Sequence, residues 1–392
     1  MQAFRVDIPQ PQLDDLRERL LRTRWPPEIG NNKNWSAGTN LAYLRELVEY
    51  WINTYDWRAQ ERAINRFGHF KTSIDGTPLH FIHEKGKGPN PLPLILNHGW
   101  PWTFWDFQKI IEPLTDPAAY GGDPADAFDV IVPSLPGFAF SSPIEKPGDT
   151  NFYRAAELLP GLMSQLGYEK FCVQGGDFGS MVAAFMGHKT PERLHGVYLN
   201  LIMPFSNPFP APEDYGEGEK AWQQKNNAFN GESAAYLNLQ MTRPQTAAFA
   251  LHDSPVGLAS WLIEKRFEWS DCKGDIELCF DKDQLITTVM LYWLTETYVT
   301  SARYYYESLH FMPAVDDAHL PIVSAPTAVL QFEHDNQLFP HRWAEKYYNL
   351  QRWTVETEGG HFAPMESPEL LVKDMQAFFR PMRTQENSRR AE

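Results

Sequence analysis

Residues 171–179 read Phe171-Cys172-Val173-Gln174-Gly175-Gly176-Asp177-Phe178-Gly179, and they set the architecture of the whole chain. The first four residues have the composition of a buried strand, and the apolar run Ser180 to Gly187 that follows is typical of a helix. Glycines on both sides of Asp177 predict a tight, strained turn between the two elements. Such a turn directs the central side chain outward at the carboxyl end of a sheet.

The segments around this turn alternate between strand and helix. Strands are predicted at Leu79–His83, Pro93–Leu96, Asp129–Val132, Lys170–Gln174, Gly196–Leu201 and Thr327–Phe332, and helices at Trp102–Leu114 and Phe152–Leu166. This alternation predicts an α/β fold with a mostly parallel central sheet. About a hundred residues rich in Trp, Tyr and Phe interrupt it after the Pro-rich segment MPFSNPFPAP, which predicts an inserted helical lid.

The N-terminal part precedes this pattern as an extension. Helical spacing of apolar residues predicts helices at Leu13–Leu21 and Asn40–Thr54, and Asp75-Gly76 predicts a hairpin turn. We therefore divide the chain into an extension (1–75), a first core part (76–206), a lid (207–318), a second core part (319–384) and a polar tail (385–392) that is expected to fray.

The side chain at the centre of the tight turn is a carboxylate. An aspartate is ionised at pH 7 and attacks a saturated carbon without activation, whereas acyl transfer usually relies on an activated Ser or Cys. Asp177 is therefore predicted to be a nucleophile for an sp³ electrophile. The competing interpretation is that Asp177 only caps the helix that follows it.

A base and an acid are expected further along the chain. His361, in Glu358-Gly359-Gly360-His361-Phe362, lies in a predicted loop after the last strand-like run, Trp353–Val355. Asp335 follows the strand that ends at Phe332 and could orient His361, with Glu333 as the competitor. The order nucleophile, acid, base is the one found in α/β-hydrolases.

The turn His98-Gly99-Trp100-Pro101 follows an earlier strand, at the place where an oxyanion hole is expected. The backbone N–H groups of Trp100 and Phe178 are the candidate donors. An ordinary turn before a helix is the simpler alternative.

These motifs together resemble the microsomal-type epoxide hydrolase family over most of the chain. The N-terminal segment, from Phe4-Arg5-Val6 to Thr23-Arg24-Trp25-Pro26, is similar to that family's own N-terminal region. The turn at Trp100, the Gly-Gly-Asp-x-Gly-Ser elbow and the Gly-Gly-His-Phe-Ala segment have similar positions. In this chain Phe178 stands where the family commonly has Trp, and the membrane anchor of the mammalian members is not found.

The resemblance also implies two tyrosines that bind the epoxide oxygen. Tyr236 matches one of them in Tyr236-Leu237-x-Leu239-Gln240-x-Thr242-Arg243-Pro244. The second falls within Tyr304, Tyr305 and Tyr306, and alignment on the preceding Ser-x-Arg favours Tyr305. Position relative to Pro340 favours Asp335 over Glu333 as the acid, as in soluble fungal members.

The implied reaction opens an epoxide to a vicinal diol through an ester on Asp177, which water activated by His361 and Asp335 then hydrolyses. A haloalkane dehalogenase with the same Asp, His and acid is the alternative, and Phe178 weakens it because a halide-binding Trp commonly follows that nucleophile. A non-catalytic ligand-binding protein on the same fold is a further alternative. The expected partners are a small-molecule epoxide and water.

Composition excludes other classes of function. The formal net charge is −15, and no Lys/Arg cluster suggests nucleic-acid binding. Cys172, Cys272 and Cys279 form no disulfide framework or metal spacing, so a cytoplasmic location is expected, and no apolar run is long enough to anchor the chain in a membrane. No cofactor or metal is expected. The sequence leaves open the natural epoxide and whether the chain forms a homodimer.

Overall fold

A computed structural model describes residues 1–27, 29–30, 34–204, 208–315 and 318–391, with side chains described as far as Arg383 in the last helix. The expected boundary between the first core part and the lid, at 206/207, lies outside these residues, as does the final residue of the polar tail. Within the described part, no helix has both the length and the apolar character needed to cross a membrane.

A nine-stranded sheet of described strands runs through the molecule in the order β1-β2-β3-β5-β4-β6-β7-β8-β9. Its strands are β1 (Gln2–Phe4), β2 (His69–Ile74), β3 (Thr77–Glu84), β4 (Leu92–Asn97), β5 (Phe128–Pro133), β6 (Phe171–Gly175), β7 (Leu194–Leu199), β8 (Val323–Phe332) and β9 (Tyr348–Glu356). The six strands in the order β5-β4-β6-β7-β8-β9 pair in parallel, which confirms the predicted α/β fold.

The other edge of the sheet is antiparallel. The hairpin of β2 and β3 turns at Asp75 and Gly76 as predicted, and β3 then pairs with β5. β1 adds one more antiparallel strand. The sequence predicted the hairpin but neither β1 nor the edge as a whole, because pairing between distant segments leaves no local pattern.

Helices cover both faces of the sheet and form the N-terminal extension. In the extension and the first core part they are α1 (Gln10–Leu21), α2 (Leu41–Asn53), α3 (Trp57–Ile64), α4 (Ile111–Thr115), α5 (Phe152–Gln165) and α6 (Phe178–Lys189). The central strands carry apolar side chains on both faces for this reason, and all six residues of β5 are buried.

One predicted helix differs from the structure. Residues 102–114 form a short 3-10 turn, Phe104–Phe107, followed by α4, instead of a continuous helix. Pro113 lacks the N–H that a continuous helix would bond to the carbonyl of Lys109. Thr103 and Asp106 cap the turn reciprocally, which fixes it as a separate element.

The lid lies between β7 and β8 and is helical, as predicted. It contains α7 (Lys220–Glu232), α8 (Ala235–Thr242), α9 (Pro244–Leu251), α10 (Pro255–Trp269), α11 (Lys282–Leu294) and α12 (Tyr298–His310). The second core part adds α13 (His341–Tyr347), α14 (Ala363–Glu366) and α15 (Pro368–Ala391). Helix α15 continues to Ala391, and the fraying expected of the polar tail stays a prediction.

Candidate active site

The turn between β6 and α6 has the strained geometry that its glycines predict. Asp177 adopts a φ of 51°, in the left-handed region that residues with a side chain rarely occupy. A Cβ atom on Gly175 would lie 2.0 Å from the carbonyl oxygen of Gly179, and one on Gly179 would lie 2.0 Å from that of Asn97. Both positions therefore require glycine for the backbones to approach this closely.

Asp177 does not cap α6, although it occupies the N-cap position. Its side chain makes no capping hydrogen bond, which disfavours the simpler interpretation of the motif. Instead, the backbone N–H of Trp100 donates to Asp177 Oδ1 at 2.8 Å. A Cβ atom on Gly99 would lie 2.3 Å from Asp177 Cβ, so the carboxylate fits only because residue 99 is glycine.

Trp100 and Phe178, the two candidate oxyanion donors, both lie beside this carboxylate. Phe178 is the first residue of α6, where backbone N–H groups have no partner within the helix. Its ring packs against Tyr305 at a centroid distance of 4.5 Å.

His361 lies in the loop between β9 and α14 and is buried. Its Nδ1 is 2.7 Å from Asp335 Oδ1, and its Nε2 is 3.4 Å from Asp177 Oδ2. Asp335 is buried and Glu333 is exposed, so the structure brings Asp335 to the histidine and leaves Glu333 at the surface. Burial alone would lower the pKa of His361, but Asp335 and Asp177 outweigh it and raise this pKa to about 10.

Tyr236 on α8 and Tyr305 on α12 contact each other, and both rings pack against that of Trp100, whose N–H binds this carboxylate. Their ring centroids are 5.9 Å apart, and both side chains are buried. Burial raises the pKa of both phenols well above its usual value, and the negative charge of Asp177 raises it further. Both tyrosines therefore stay protonated and can donate a hydrogen bond.

The other two consecutive tyrosines have different ring contacts from Tyr305. Tyr304 packs against Phe138 at a centroid distance of 5.0 Å and against Phe178 at 5.6 Å. Tyr306 is half-buried and stacks on His310 at 3.9 Å. The structure thus brings Tyr305, and neither neighbour, into contact with Tyr236.

Trp269 and Glu366 contribute to the site without having been predicted. Trp269 packs 5.1 Å from the ring of His361 and 5.0 Å from that of Tyr236, and its carbonyl accepts the His361 N–H at 2.9 Å. Glu366 accepts the N–H groups of Phe362 and Asp271, and burial raises its pKa to about 7. Neither residue stands at a fixed spacing from a motif, so the sequence carries no signal for them.

No group of three or more His, Cys, Asp or Glu side chains in the described part of the chain is arranged to hold a metal ion.

His98 is buried beside the turn at Trp100 and hydrogen-bonds to the backbone there. Its burial makes the stability of this region sensitive to acid. Its Nε2 accepts the Leu135 N–H and its Nδ1 donates to the Gly99 carbonyl, both at 3.0 Å. Burial lowers the pKa of His98 to about 4, below the value near 6.5 of an exposed histidine. The unfolded chain therefore binds a proton more readily, so stability present above pH 6.5 is lost as the pH falls towards 4.

We expect His98 to contribute about 3 kcal/mol to the loss of unfolding free energy between about pH 7 and pH 4. Urea unfolding across this range measures the loss. A His98→Gln variant should show a shallower dependence on pH, and a variant of the exposed His252, His252→Gln, should keep the wild-type dependence. Equal slopes for His98→Gln and the wild type would contradict the assignment.

Two family models match the chain and together span most of it. The model described as the epoxide hydrolase N terminus matches residues 1–107, and that of the alpha/beta hydrolase fold matches residues 93–368. A relative from Stigmatella aurantiaca assigned to the epoxide hydrolases is 42% identical over 97% of this chain and 85% of its own. Epoxide hydrolase 1 of Sus scrofa is 34% identical over 96% of this chain and 88% of its own.

Solved structures agree with these relatives. The juvenile hormone epoxide hydrolase of Bombyx mori superposes with a TM-score of 0.88 and 28% identity, covering 98% of this chain and 95% of that one. The Aspergillus niger epoxide hydrolase gives a TM-score of 0.85 with 29% identity, covering 97% and 96%. The chain therefore belongs to the epoxide hydrolase family of the α/β-hydrolase fold.

Proposed function

We propose that this enzyme opens epoxides to vicinal diols through a covalent ester on Asp177. In the first step Tyr236 and Tyr305 donate hydrogen bonds to the epoxide oxygen. Oδ2 of Asp177 attacks a ring carbon, so one C–O bond forms while the strained C–O bond breaks. The phenols are needed because a bare alkoxide is a poor leaving group, and a proton donor lowers the barrier.

One observation carries this proposal: the Asp177 carboxylate is held between an N–H donor and a histidine, opposite two phenols. Trp100 fixes Oδ1 at 2.8 Å, which leaves Oδ2, 3.4 Å from His361 Nε2, as the attacking oxygen. Oδ1 then becomes the ester carbonyl oxygen and already has its oxyanion donor in place. The N–H of Phe178 is proposed as the second donor.

Ester formation changes the charge around His361, and we infer that this change turns the histidine into a base. Before reaction the two carboxylates hold the pKa of His361 at about 10. The ester is neutral, so the contribution of Asp177 disappears and the pKa of His361 falls. His361, oriented by Asp335, can then take a proton from the water that attacks the ester carbonyl carbon.

Haloalkane dehalogenation would use the same Asp177, His361 and Asp335. It has no use for two phenols facing the nucleophile, because a departing halide needs no proton. The relatives named above are epoxide hydrolases as well. We therefore expect diol from styrene oxide and no halide release from a bromoalkane of similar size.

The ester route predicts where the oxygen of water goes in a single turnover. With enzyme in excess over styrene oxide in heavy-oxygen water, the label should enter the Asp177 carboxylate, because water attacks the carboxyl carbon. The diol of this first turnover should contain only the epoxide oxygen and an unlabelled Asp177 oxygen. Mass spectrometry of the diol and of the peptide that contains Asp177 measures both.

Labelled diol in the first turnover, with an unlabelled peptide, would mean that water attacks the epoxide directly. Asp177 would then act as a base. Inactivated enzyme in the same water is the control for slow exchange of carboxylate oxygens.

We further propose a reducing, cytoplasmic setting for the enzyme. The chain has three cysteines at spacings typical of neither a disulfide framework nor a metal site, and Cys272 and Cys279 are free thiols in the structure. Cytosolic proteins keep their cysteines reduced, whereas secreted ones commonly pair them.

A further inference from the structure

A buried lysine lies behind one of the two proposed proton donors. Lys265 belongs to α10, is 5% exposed, and lines a groove of about 720 Å³ between α8, α10 and residues 35–39. Tyr236 lines the same groove. Burial of a lysine is costly unless its charge is compensated, so its surroundings must supply that compensation.

The compensation comes from two carboxylates and an aromatic box. Lys265 Nζ forms an ion pair with Glu264 and lies 3.7 Å from Glu268 Oε2. It also lies over the ring of Tyr236, 4.8 Å from the centroid, and 5.8 Å from that of Trp269. The positive charge therefore lies against the ring of a phenol that is close enough to Asp177 for that carboxylate to raise its pKa.

Only one of the two phenols has this arrangement. Among the described cation–ring contacts, none involves Tyr305, whose ring packs against Phe178 and the edge of Trp100. A cation over an aromatic ring is attracted by its electrons, and the attraction grows as negative charge develops on the phenol oxygen. The two phenols thus differ in the charged groups that surround them.

We infer that Lys265 is a positioning residue that makes Tyr236, and not Tyr305, the group that protonates the epoxide oxygen. The inference rests on the proposed function and adds a division of labour to it: Tyr305 donates a hydrogen bond and keeps its proton. Glu264 and Glu268 raise the pKa of Tyr236, and the charge of Lys265 Nζ over the ring opposes them.

The proton balance of the cycle closes without another reactant. Tyr236 gives its proton to the epoxide oxygen as Asp177 forms the ester. The water that cleaves the ester leaves its oxygen on Asp177 and supplies two protons through His361 and solvent. One proton completes the second hydroxyl of the diol, and the other restores Tyr236.

A purely structural role for Lys265, tying α8 to α10, has to be separated from this one. The two roles differ in their dependence on the leaving group. Propylene oxide releases a strongly basic alkoxide when its terminal carbon is attacked, whereas its trifluoromethyl analogue releases a less basic one that needs less acid assistance. Loss of acid assistance should therefore slow the first epoxide more than the second.

We expect Lys265→Met to slow ring opening of propylene oxide at least about tenfold and that of the trifluoromethyl analogue less than about threefold. The rate of ring opening is measured in single turnovers by rapid quench and intact-protein mass. Lys265→Arg keeps the charge and should recover most of the rate with propylene oxide. Equal slowing of both epoxides by Lys265→Met would overturn the inference.

Two further variants protect this test against a simple loss of folding. Glu268→Gln removes a negative charge near Tyr236 and should speed the opening of propylene oxide by about two- to fivefold, and a decrease would overturn the inference. Lys282 is a matched control because it contacts Glu46, Glu277 and the ring of Tyr50 in the same manner, away from Asp177. Lys282→Met should leave both rates unchanged.

The same measurements separate this inference from the proposed function. If wild-type enzyme forms no ester mass and no labelled Asp177, the covalent route itself fails. If the wild type forms the ester, and Lys265→Met forms it from each epoxide as fast as the wild type does, only the role of Lys265 fails.

Discussion

Replacement of Asp177 by asparagine is expected to lower kcat/KM for styrene oxide by at least about 10⁴-fold. The amide has nearly the shape of the carboxylate, and its oxygen can still accept the Trp100 N–H. It has no negative charge with which to attack a ring carbon, and the strained backbone at φ 51° would then hold an inert group. Initial rates of diol formation, with enzyme assayed directly after purification, measure the loss.

Folding and chemical reversion are the two effects to control. Asp177 makes no capping bond to α6, so Asp177→Asn should keep the wild-type far-ultraviolet circular dichroism and a cooperative unfolding transition. Asp253→Asn, which alters an exposed ion pair with Arg19, is the matched control and should keep full activity. Full turnover by the Asp177→Asn protein, with a peptide mass that still shows the amide after the assay, would rule out Asp177 as the nucleophile.

The residues proposed as nucleophile, base and acid could be located from the sequence because each lies in a local motif at the end of a strand. Asp177 lies in a glycine-rich turn, and His361 and Asp335 follow the last two predicted strands. Parallel strands place their carboxyl ends on one edge of the sheet, so the three residues had to converge. The hydrogen bond of 2.7 Å between His361 and Asp335 follows from this topology.

The structure was needed to decide between candidate residues that are neighbours in sequence. Successive residues on a helix point about 100° apart, so Tyr304, Tyr305 and Tyr306 have different sets of contacts although they are adjacent in sequence. Alignment favoured Tyr305, but the direction in which α12 presents its residues depends on its packing against α8. The choice of Asp335 over Glu333 depends in the same way on the loop after β8.

Residues that contribute through packing between distant helices could not be predicted. Lys265 and Trp269 lie on α10, and they reach Tyr236 on α8 only because the lid folds back on itself. The antiparallel edge of the sheet is a comparable case, since β1 pairs with β2 across more than sixty residues of sequence. Hydrophobic periodicity reports which face of an element is buried, but it does not report what covers that face.

Replacement of His361 by glutamine is expected to trap the ester. Ring opening needs Asp177 and the two phenols, so the first turnover should still occur, whereas hydrolysis of the ester should slow by about 10³-fold for want of a base. The intact protein should gain the mass of one epoxide molecule, and the added mass should map to the peptide containing Asp177. Intact-protein mass spectrometry after mixing with excess styrene oxide measures this directly.

The rate of ester hydrolysis in an Asp335 variant tests whether the charge of Asp335 helps His361 to act as a base. In Asp335→Asn the histidine remains but loses the carboxylate that contributes most to raising its pKa, so ester hydrolysis should slow less than in His361→Gln. His334→Gln, at an exposed histidine near Asp271, should hydrolyse the ester at the wild-type rate. If His361→Gln turns over steadily without added mass, another group activates the water. The loop that places His361 2.7 Å from Asp335 would then have no catalytic purpose.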